Sequence, residues 1–255
     1  MGKRKYLFFD FDGTVYEGGI YASETVSAMK RVQGAGHWLI LNSGRSQGHF
    51  ETSPEGRKCP IRWDAKIYGM SDILIGDRAV QRMILPPESI LKWVEFARRN
   101  RIGIQLEGQK NLHPFRFDKT GVFGHFRLLR GIRRAMREDP ITELNLLSSY
   151  GKYKTPQGEW AIHADYDWFE VTVSGRSKGN AILDFCRLTG ADLADCVCFG
   201  DAYNDIGMFR ICPTGICMKP APKELSDLAA YHAKSDHGVA EGLEWLFANE
   251  KTTEI

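Results

Sequence analysis

The sequence predicts an α/β fold built on a parallel β-sheet, with a smaller α+β region inserted into it. Short apolar runs alternate with helical stretches near both ends of the chain, which is typical of βαβ units. Over residues 78–165 this alternation gives way to a different pattern, and the charge changes with it. Acidic and small polar residues directly follow several of the apolar runs, where open α/β sheets bind their ligands.

The core of the fold is predicted from four short apolar runs, each of which indicates a strand: residues 6–9, 38–41, 171–173 and 196–199. The first run is continuously apolar, as in a central strand that is covered on both faces. Ser23 is a suitable N-cap for the helix that follows it, and Gly34 is a suitable C′ residue. A further helix is predicted to begin near Lys178, between the third and fourth strands.

An inserted α+β domain is predicted over residues 78–165, between core segments 1–77 and 166–255. Its first helix begins at the Pro86-Pro87 pair. Its second helix has four residues on the predicted apolar side: Phe126, Leu129, Ile132 and Met136. Strand-like segments occur near residues 102–106, 144–147 and 160–162. The insert holds 16 Lys plus Arg against nine Asp plus Glu, a basic bias that is compatible with a lid over an anionic substrate.

The overall composition excludes several classes of protein. The chain is 43% hydrophobic and 26% charged, as in soluble globular proteins, and its net charge of +2 predicts neither a nucleic-acid nor a membrane partner. No apolar stretch approaches the roughly 18 residues of a membrane span, and Asp10 interrupts the first apolar run too early for a secretory signal. The six cysteines lack zinc spacing. We therefore expect a cytoplasmic protein with reduced thiols.

Carboxylates follow two of the predicted strands. Asp10 and Asp12 come directly after the first strand, and Asp201 and Asp205 come after the fourth, with Asn204 between them. Both pairs would lie at the carboxyl edge of the sheet, in position for a ligand. The alternatives are an Asx-type turn after the first strand and ordinary helix capping after the fourth.

Two further positions predict contacts with an anion. Ser43 and Gly44 follow the second strand, where a hydroxyl and backbone N–H groups could hold phosphate oxygens, although an ordinary polar turn would have the same residues. Lys178 occupies the first turn of a predicted helix, where the helix dipole disfavours a cation. A neighbouring anion would explain this lysine, and a plain surface position is the alternative.

Together these residues resemble the four motifs of the haloacid dehalogenase superfamily of phosphohydrolases, in the order that the superfamily requires. The matching segments are Asp10-x-Asp12-Gly13-Thr14, Ser43, Lys178 and Gly200-Asp201-x-x-Asn204-Asp205. The insert and the run Asp236-His237-Gly238-Val239 resemble the Cof-type sugar-phosphatase branch, which implies a Rossmann-like core with an α+β cap. The chain departs from that branch at Ala202, where Gly is usual, and at Lys219-Pro220-Ala221, where Gly-Asn-Ala is usual.

The resemblance implies a Mg²⁺-dependent phosphatase that acts on small phosphorylated metabolites. Asp10 would be the nucleophile that forms an aspartyl-phosphate, and Asp12 would be the general acid and base. The metal ligands would be Asp10, Asp12 through its backbone carbonyl, Asp201 and Asp205. The phosphate would be held by Ser43, Gly44, Lys178 and Asn204.

The charges of the predicted site also argue for a cation. Four carboxylates in one pocket could not all stay ionised with only Lys178 to balance them. Oxygen ligands without nearby Cys or His donors favour Mg²⁺. Two other functions are compatible with the same residues: a phosphotransferase or phosphomutase that uses the same chemistry, and a non-catalytic regulator that binds Mg²⁺ or a phospholigand.

Overall fold

A computed structural model of the 255-residue chain describes residues 3–149, 151–164 and 168–253. The chain forms two compact units. The first comprises Met1–Gly44, Lys58–Gln81 and Ser177–Ile255, and the second comprises Arg45–Arg57 and Arg82–Arg176. Within the described residues, no helix has both the length and the apolar character that crossing a membrane requires.

The strands among the described residues are β1 (Tyr6–Phe9), β2 (Trp38–Asn42), β3 (Ala65–Tyr68), β4 (Asp72–Ile75), β5 (Arg78–Gln81), β6 (Gly103–Gly108), β7 (Leu112–Arg116), β8 (Ile141–Leu147), β9 (Trp160–Ala164), β10 (Phe169–Val173), β11 (Cys196–Gly200), β12 (Thr214–Cys217) and β13 (Tyr231–His232). The α-helices in the same ranges are α1 (Ser23–Gly34), α2 (Gln47–Thr52), α3 (Pro54–Arg57), α4 (Pro87–Asn100), α5 (Val122–Glu138), α6 (Lys178–Thr189), α7 (Ile206–Ile211), α8 (Lys223–Ser226) and α9 (Gly238–Thr253). The described ranges also contain 3₁₀ turns at Phe117–Lys119, Leu193–Asp195 and Tyr203–Asp205.

The first unit is built on an eight-stranded sheet in the order β13-β12-β11-β1-β2-β3-β4-β5. The strands from β13 to β3 are parallel, and β4 and β5 add an antiparallel edge. Strand β1 is central and covered on both faces: Phe8 packs edge-on against Phe185 of α6, while Phe9 stacks on Phe199. The predicted α/β fold with a parallel sheet is therefore confirmed.

Helix α1 differs in detail from its prediction. Ala22 is the N-cap, so Ser23 is the first helical residue, and Gly34 is the last helical residue rather than C′. The positive φ that favours glycine occurs at Gly36, with a φ of +98°. The helix therefore runs slightly further than its predicted stop because Gly34 keeps helical geometry.

The second unit is built on a five-stranded antiparallel sheet in the order β7-β6-β8-β10-β9. Residues of α4 and α5 share one apolar core with one face of this sheet, including Trp93 and Ile132, which are fully buried. The second helix was predicted to bury Phe126, which is wrong, because that ring is 69% exposed. Strand β10 was predicted to belong to the core sheet. It pairs instead with β8 and β9, since Phe169 packs against Trp93 in this second core.

The two units divide the chain at positions other than the predicted domain bounds of 77–78 and 165–166. Strand β5 extends the first unit to Gln81, and residues 45–57 belong to the second unit. Buried carboxyl groups hold that segment: the backbone N–H of Ser46 donates to Glu143 and its hydroxyl donates to Glu107. The predicted bound at 165–166 lies outside the described residues.

Charge is segregated within the second unit. Five arginines of α5 are exposed: Arg127, Arg130, Arg133, Arg134 and Arg137. The sheet face that does not pack against the apolar core carries Glu107, Glu143 and Glu170, all of which are buried. The basic bias of the insert thus comes in large part from one helix surface and not from the polar face of the sheet.

Candidate active site

Three of the predicted site residues, Asp10, Ser43 and Asp201, lie at the carboxyl ends of three adjacent parallel strands. Asp10 follows β1 and donates its backbone N–H to Phe199 O at 3.0 Å. Asp201 follows β11, which pairs with β1 in register. Ser43 follows β2, is buried, and donates its backbone N–H to Ile67 O of β3 at 3.0 Å. The sheet itself therefore brings these residues to one edge.

A group of three carboxylates forms at this edge. Asp10, Asp201 and Asp205 each contribute an oxygen, and these oxygens all lie within 4.8 Å of one another. Asp10 is 5% exposed, Asp205 is fully buried and Asp201 is partly exposed. Within the described ranges this is the one group of three or more such donors.

Lys178 is fully buried and contacts two of these carboxylates. Its Nζ lies 2.5 Å from Asp10 Oδ1, 2.6 Å from Asp205 Oδ1 and 3.5 Å from Asn204 Oδ1. It is the first residue of α6, and the Ser177 hydroxyl caps that helix by accepting from the N–H of Asn180. The anion predicted to neighbour this lysine is therefore present.

The site has too little positive charge for its carboxylates. Burial and the nearby charge of Asp205 raise the pKa of Asp10 well above its usual range, with Lys178 opposing them. Burial and Asp205 likewise raise the pKa of Asp201 to about 6. Burial alone would lower the pKa of Lys178, but the charges of Asp10 and Asp205 outweigh it and raise that pKa. One ammonium group cannot compensate three carboxylates.

The residues present fit a divalent cation that prefers oxygen ligands. With all three carboxylates ionised and Lys178 charged, the group is short of two positive charges, which Mg²⁺ would supply. Asp10 uses Oδ1 for Lys178, and Asp201 uses Oδ1 to accept from the Thr14 hydroxyl at 2.9 Å. Each of these two carboxylates therefore has a second oxygen available for a metal.

Asp205 is engaged differently from the other two acids. Its Oδ1 accepts from Lys178, and its Oδ2 accepts from the N–H groups of Asp201 and Ala202 at 2.9 and 3.0 Å. Both oxygens are thus occupied within the protein. Asp205 holds the loop after β11 in place and pairs with the lysine, which favours contact with a metal through water.

The side chain of Asp12 lies outside the carboxylate group. This side chain is exposed. Asp12 lies in a tight turn in which the backbone N–H of Gly13 donates to Tyr16 O. Of the four carboxylates expected at the site, three therefore form the close group, while the charge of Asp12 contributes to the raised pKa of Asp201. Gly13 has a φ of +81°, and a Cβ there would lie 2.3 Å from Asp201 Oδ2. The glycine is needed both for the turn and for the close approach of Asp201.

The remaining predicted residues, Gly44 and Asn204, lie near each other. A Cβ on Gly44 would be 3.7 Å from Asn204 Nδ2, and Asn204 is exposed beside Lys178. A polar, partly exposed surface therefore borders the buried carboxylates.

Two contributions to the site were missed in the sequence. Asn42, fully buried at the end of β2, donates from Nδ2 to the backbone carbonyl of Lys178 at 3.1 Å. A polar amide that ends an apolar strand was the available signal. Gly179 and Gly207 bring α6 and α7 into backbone contact, since a Cβ on Gly179 would lie 2.3 Å from Gly207 O.

Comparison with known proteins decides the family. The model of a family described as haloacid dehalogenase-like hydrolase matches residues 158–243, a range that includes Lys178, Asp201 and Asp205. The chain belongs to the haloacid dehalogenase-like hydrolases. This finding confirms the family resemblance that was predicted from the motifs. It also confirms the assignment as a phosphoric monoester hydrolase.

Individual relatives of this hydrolase extend over most of the chain. It is 23% identical to "Putative phosphatase YkrA" of Bacillus subtilis over 253 residues, which cover 92% of this chain and 95% of that protein. Among solved structures, BT1666 of Bacteroides thetaiotaomicron, a haloalkanoate superfamily phosphatase, matches with a TM-score of 0.79 at 17% identity, covering 94% of each chain. The subclass IIB sugar phosphatase BT4131 matches with a TM-score of 0.74 at 20% identity, covering 95% of this chain and 98% of its own.

Proposed function

We propose that this hydrolase is a Mg²⁺-dependent phosphatase that hydrolyses small phosphate monoesters through an aspartyl-phosphate on Asp10. The observation that carries the proposal is the environment of Asp10. This carboxylate is buried after the central strand, paired with Lys178 and grouped with Asp201 and Asp205. Such a residue is too costly to bury for stability alone, and it is positioned as a nucleophile beside a charge-compensating cation.

The two chemical steps can be assigned to Asp10 and Asp12. A carboxylate oxygen of Asp10 attacks phosphorus, the ester P–O bond breaks, and Asp12 protonates the departing alkoxide. Asp12 then removes a proton from water, whose oxygen attacks phosphorus and releases inorganic phosphate from Asp10. The exposure of Asp12 supports this role, because both leaving group and water must reach it.

Phosphate binding is assigned to Ser43, Gly44, Lys178 and Asn204. Fixed donors around the non-transferring oxygens supply most of what phosphoryl transfer requires. Lys178 is held rigidly for this task by Asp205 and by Asn42 on its backbone carbonyl. Asp10 and Asp201 would hold Mg²⁺ directly, with the backbone carbonyl of Asp12 as in the superfamily pattern and Asp205 through water. Bound there, Mg²⁺ would neutralise charge on the carboxylates and the phosphate.

We also assign the substrate class and the role of the insert. The substrate would be a small, sugar-phosphate-like metabolite, which the similarity to BT4131 supports. The second unit, which differs in its bounds from the predicted insert of residues 78–165, would act as the cap that selects it. All six cysteines are free, which supports a reducing, cytoplasmic location.

The test is phosphate release from a panel of metabolite phosphates and an aryl phosphate, with Mg²⁺ and with EDTA. We expect turnover with Mg²⁺ and its loss in EDTA. Asp10→Asn should abolish turnover, whereas Asp77→Asn should not, because the Asp77 side chain is 99% exposed on the same unit. Near-normal activity of Asp10→Asn would exclude the proposed nucleophile.

The same experiment separates a phosphatase from a phosphotransferase. A phosphatase releases inorganic phosphate to water, whereas a phosphotransferase or phosphomutase passes it to a hydroxyl of a second sugar. Product analysis with added sugar acceptors should show inorganic phosphate as the main product. A phosphorylated acceptor as the main product would favour the transferase.

A further inference from the structure

A second reactive group lies in the first unit, away from the carboxylates. Cys186, in the last turns of α6, and Cys196, the first residue of β11, place their sulfur atoms 3.6 Å apart. Both are free thiols; Cys186 is partly exposed and Cys196 is buried. A disulfide has an S–S distance of about 2.05 Å, so a sulfur displacement of roughly 1.5 Å would join them.

The two thiols are chemically unequal. The interaction with the Cys196 sulfur lowers the pKa of Cys186, against the effect of burial. The same interaction and burial raise the pKa of Cys196. Cys186 is therefore both the more accessible thiol and the one that ionises first. This combination is typical of a cysteine that reacts with an oxidant beside a second cysteine that resolves the product.

We propose that Cys186 and Cys196 are a modification site, at which hydrogen peroxide produces a reversible disulfide. The Cys186 thiolate attacks one peroxide oxygen, the O–O bond breaks, and sulfenic acid forms while hydroxide leaves. The Cys196 sulfur then attacks the Cys186 sulfur, the S–O bond breaks, and the departing hydroxide takes the Cys196 proton to become water. In total, two thiols and one peroxide give one disulfide and two waters.

A disulfide between Cys186 and Cys196 would connect the helix that begins at Lys178 to the strand that precedes Asp201. Helix α6 begins with Lys178, and β11 leads directly to Asp201. Cys186 is eight residues beyond Lys178, which is about 12 Å along a helix. The disulfide would therefore join α6 to β11 without touching the carboxylate group.

The test is a count of free thiols under denaturing conditions, before and after treatment of the whole chain with hydrogen peroxide. We expect six thiols before treatment and, with two consumed, four after it. Peptide mass spectrometry should find Cys186 linked to Cys196, and a thiol reductant should restore both. Cys186→Ser should prevent the link. Cys59→Ser is the matched control, because Cys59 is the other partly exposed cysteine, and it should leave the link unchanged.

A second variant tests the order of the two steps. In Cys196→Ala, the sulfenic acid on Cys186 has no resolving partner and should be trapped by dimedone. Trapping at Cys59 without trapping at Cys186 would overturn the proposal. So would a treated wild-type protein in which Cys186 is unlinked, is linked to another cysteine, or is found mainly as sulfinic acid.

Discussion

Replacement of Asp201 by Asn should stabilise the metal-free protein while weakening Mg²⁺ binding. The pKa of Asp201 is about 6 in the folded chain against an ordinary value of 3.8. Between these values the folded state keeps a proton that the unfolded state releases, so stability falls as the pH rises from about 4 to about 6. Above about pH 6, Asp201 is ionised in both states, and the folded state bears the full free-energy cost of its buried charge. Asn removes that charge and keeps the oxygen that accepts from Thr14.

The magnitude follows from the difference between the two pKa values. One pKa unit corresponds to about 1.4 kcal/mol, so the upper limit is about 3 kcal/mol. Asp201 is partly exposed and water screens part of its charge, so we expect about 1–3 kcal/mol at pH 8. At about pH 4, where Asp201 is largely protonated in the folded chain, wild type and variant should be nearly equal.

The assay is urea unfolding in EDTA at both pH values, with Asp77→Asn as the exposed control. Saturating Mg²⁺ should reverse the order of stability, because a cation at a thousandfold excess over its Kd adds about 4.1 kcal/mol to a protein that binds it. Wild type would gain this energy and the variant would gain less. If Asp201→Asn were no more stable than wild type in EDTA at pH 8, the charge accounting for this site would be refuted.

Three further substitutions test individual contacts. Asp12→Ala should lower kcat by about 10²–10⁴-fold through loss of the general acid. An unchanged kcat would remove Asp12 from the mechanism. Lys178→Met should destabilise the protein in EDTA by about 3–5 kcal/mol, because it leaves buried carboxylates unpaired, and Mg²⁺ should recover part of this loss. An unchanged urea midpoint would contradict the ion pairs. Gly13→Ala should weaken Mg²⁺ binding in calorimetry, because its Cβ would displace Asp201; wild-type affinity would show that the turn adapts.

Much of the fold and the site could be predicted because local sequence and sheet geometry agree. The apolar runs at β1 and β11 indicated buried parallel strands, and parallel strands must end at one edge. Asp10 and Asp201 were therefore expected near each other. Lys178 was unfavourable for its helix, which correctly indicated an anion beside it.

The sequence could not specify which sheet a strand joins. The run Val171–Val173 has the same apolar character in either unit, and its place in the second sheet depends on Phe169 packing against Trp93. The assignment of residues 45–57 to the second unit likewise depends on distant partners, because Ser46 bonds to Glu107 and Glu143. These are contacts between residues far apart in sequence, which periodicity does not encode.

Side-chain direction was the other limit. Asp12 is only two residues from Asp10, yet the tight turn at Gly13 leaves its carboxylate exposed. The dual engagement of Asp205 is equally invisible in spacing, because it depends on two backbone N–H groups at the start of its own loop.

The contact between Gly179 and Gly207 determines the position of Lys178 relative to Asp205. Gly179 directly follows Lys178, and Gly207 lies two residues after Asp205, which is the ion-pair partner of that lysine. The contact between these two stretches of main chain therefore fixes the distance between the Lys178 ammonium and the Asp205 carboxylate. Such a contact is far stiffer than one made through rotatable side chains. A single added methyl group at this crossing would push the two helices apart and loosen the pair without altering any charged residue. The electrostatics of the carboxylate group therefore depend on two positions that carry no charge.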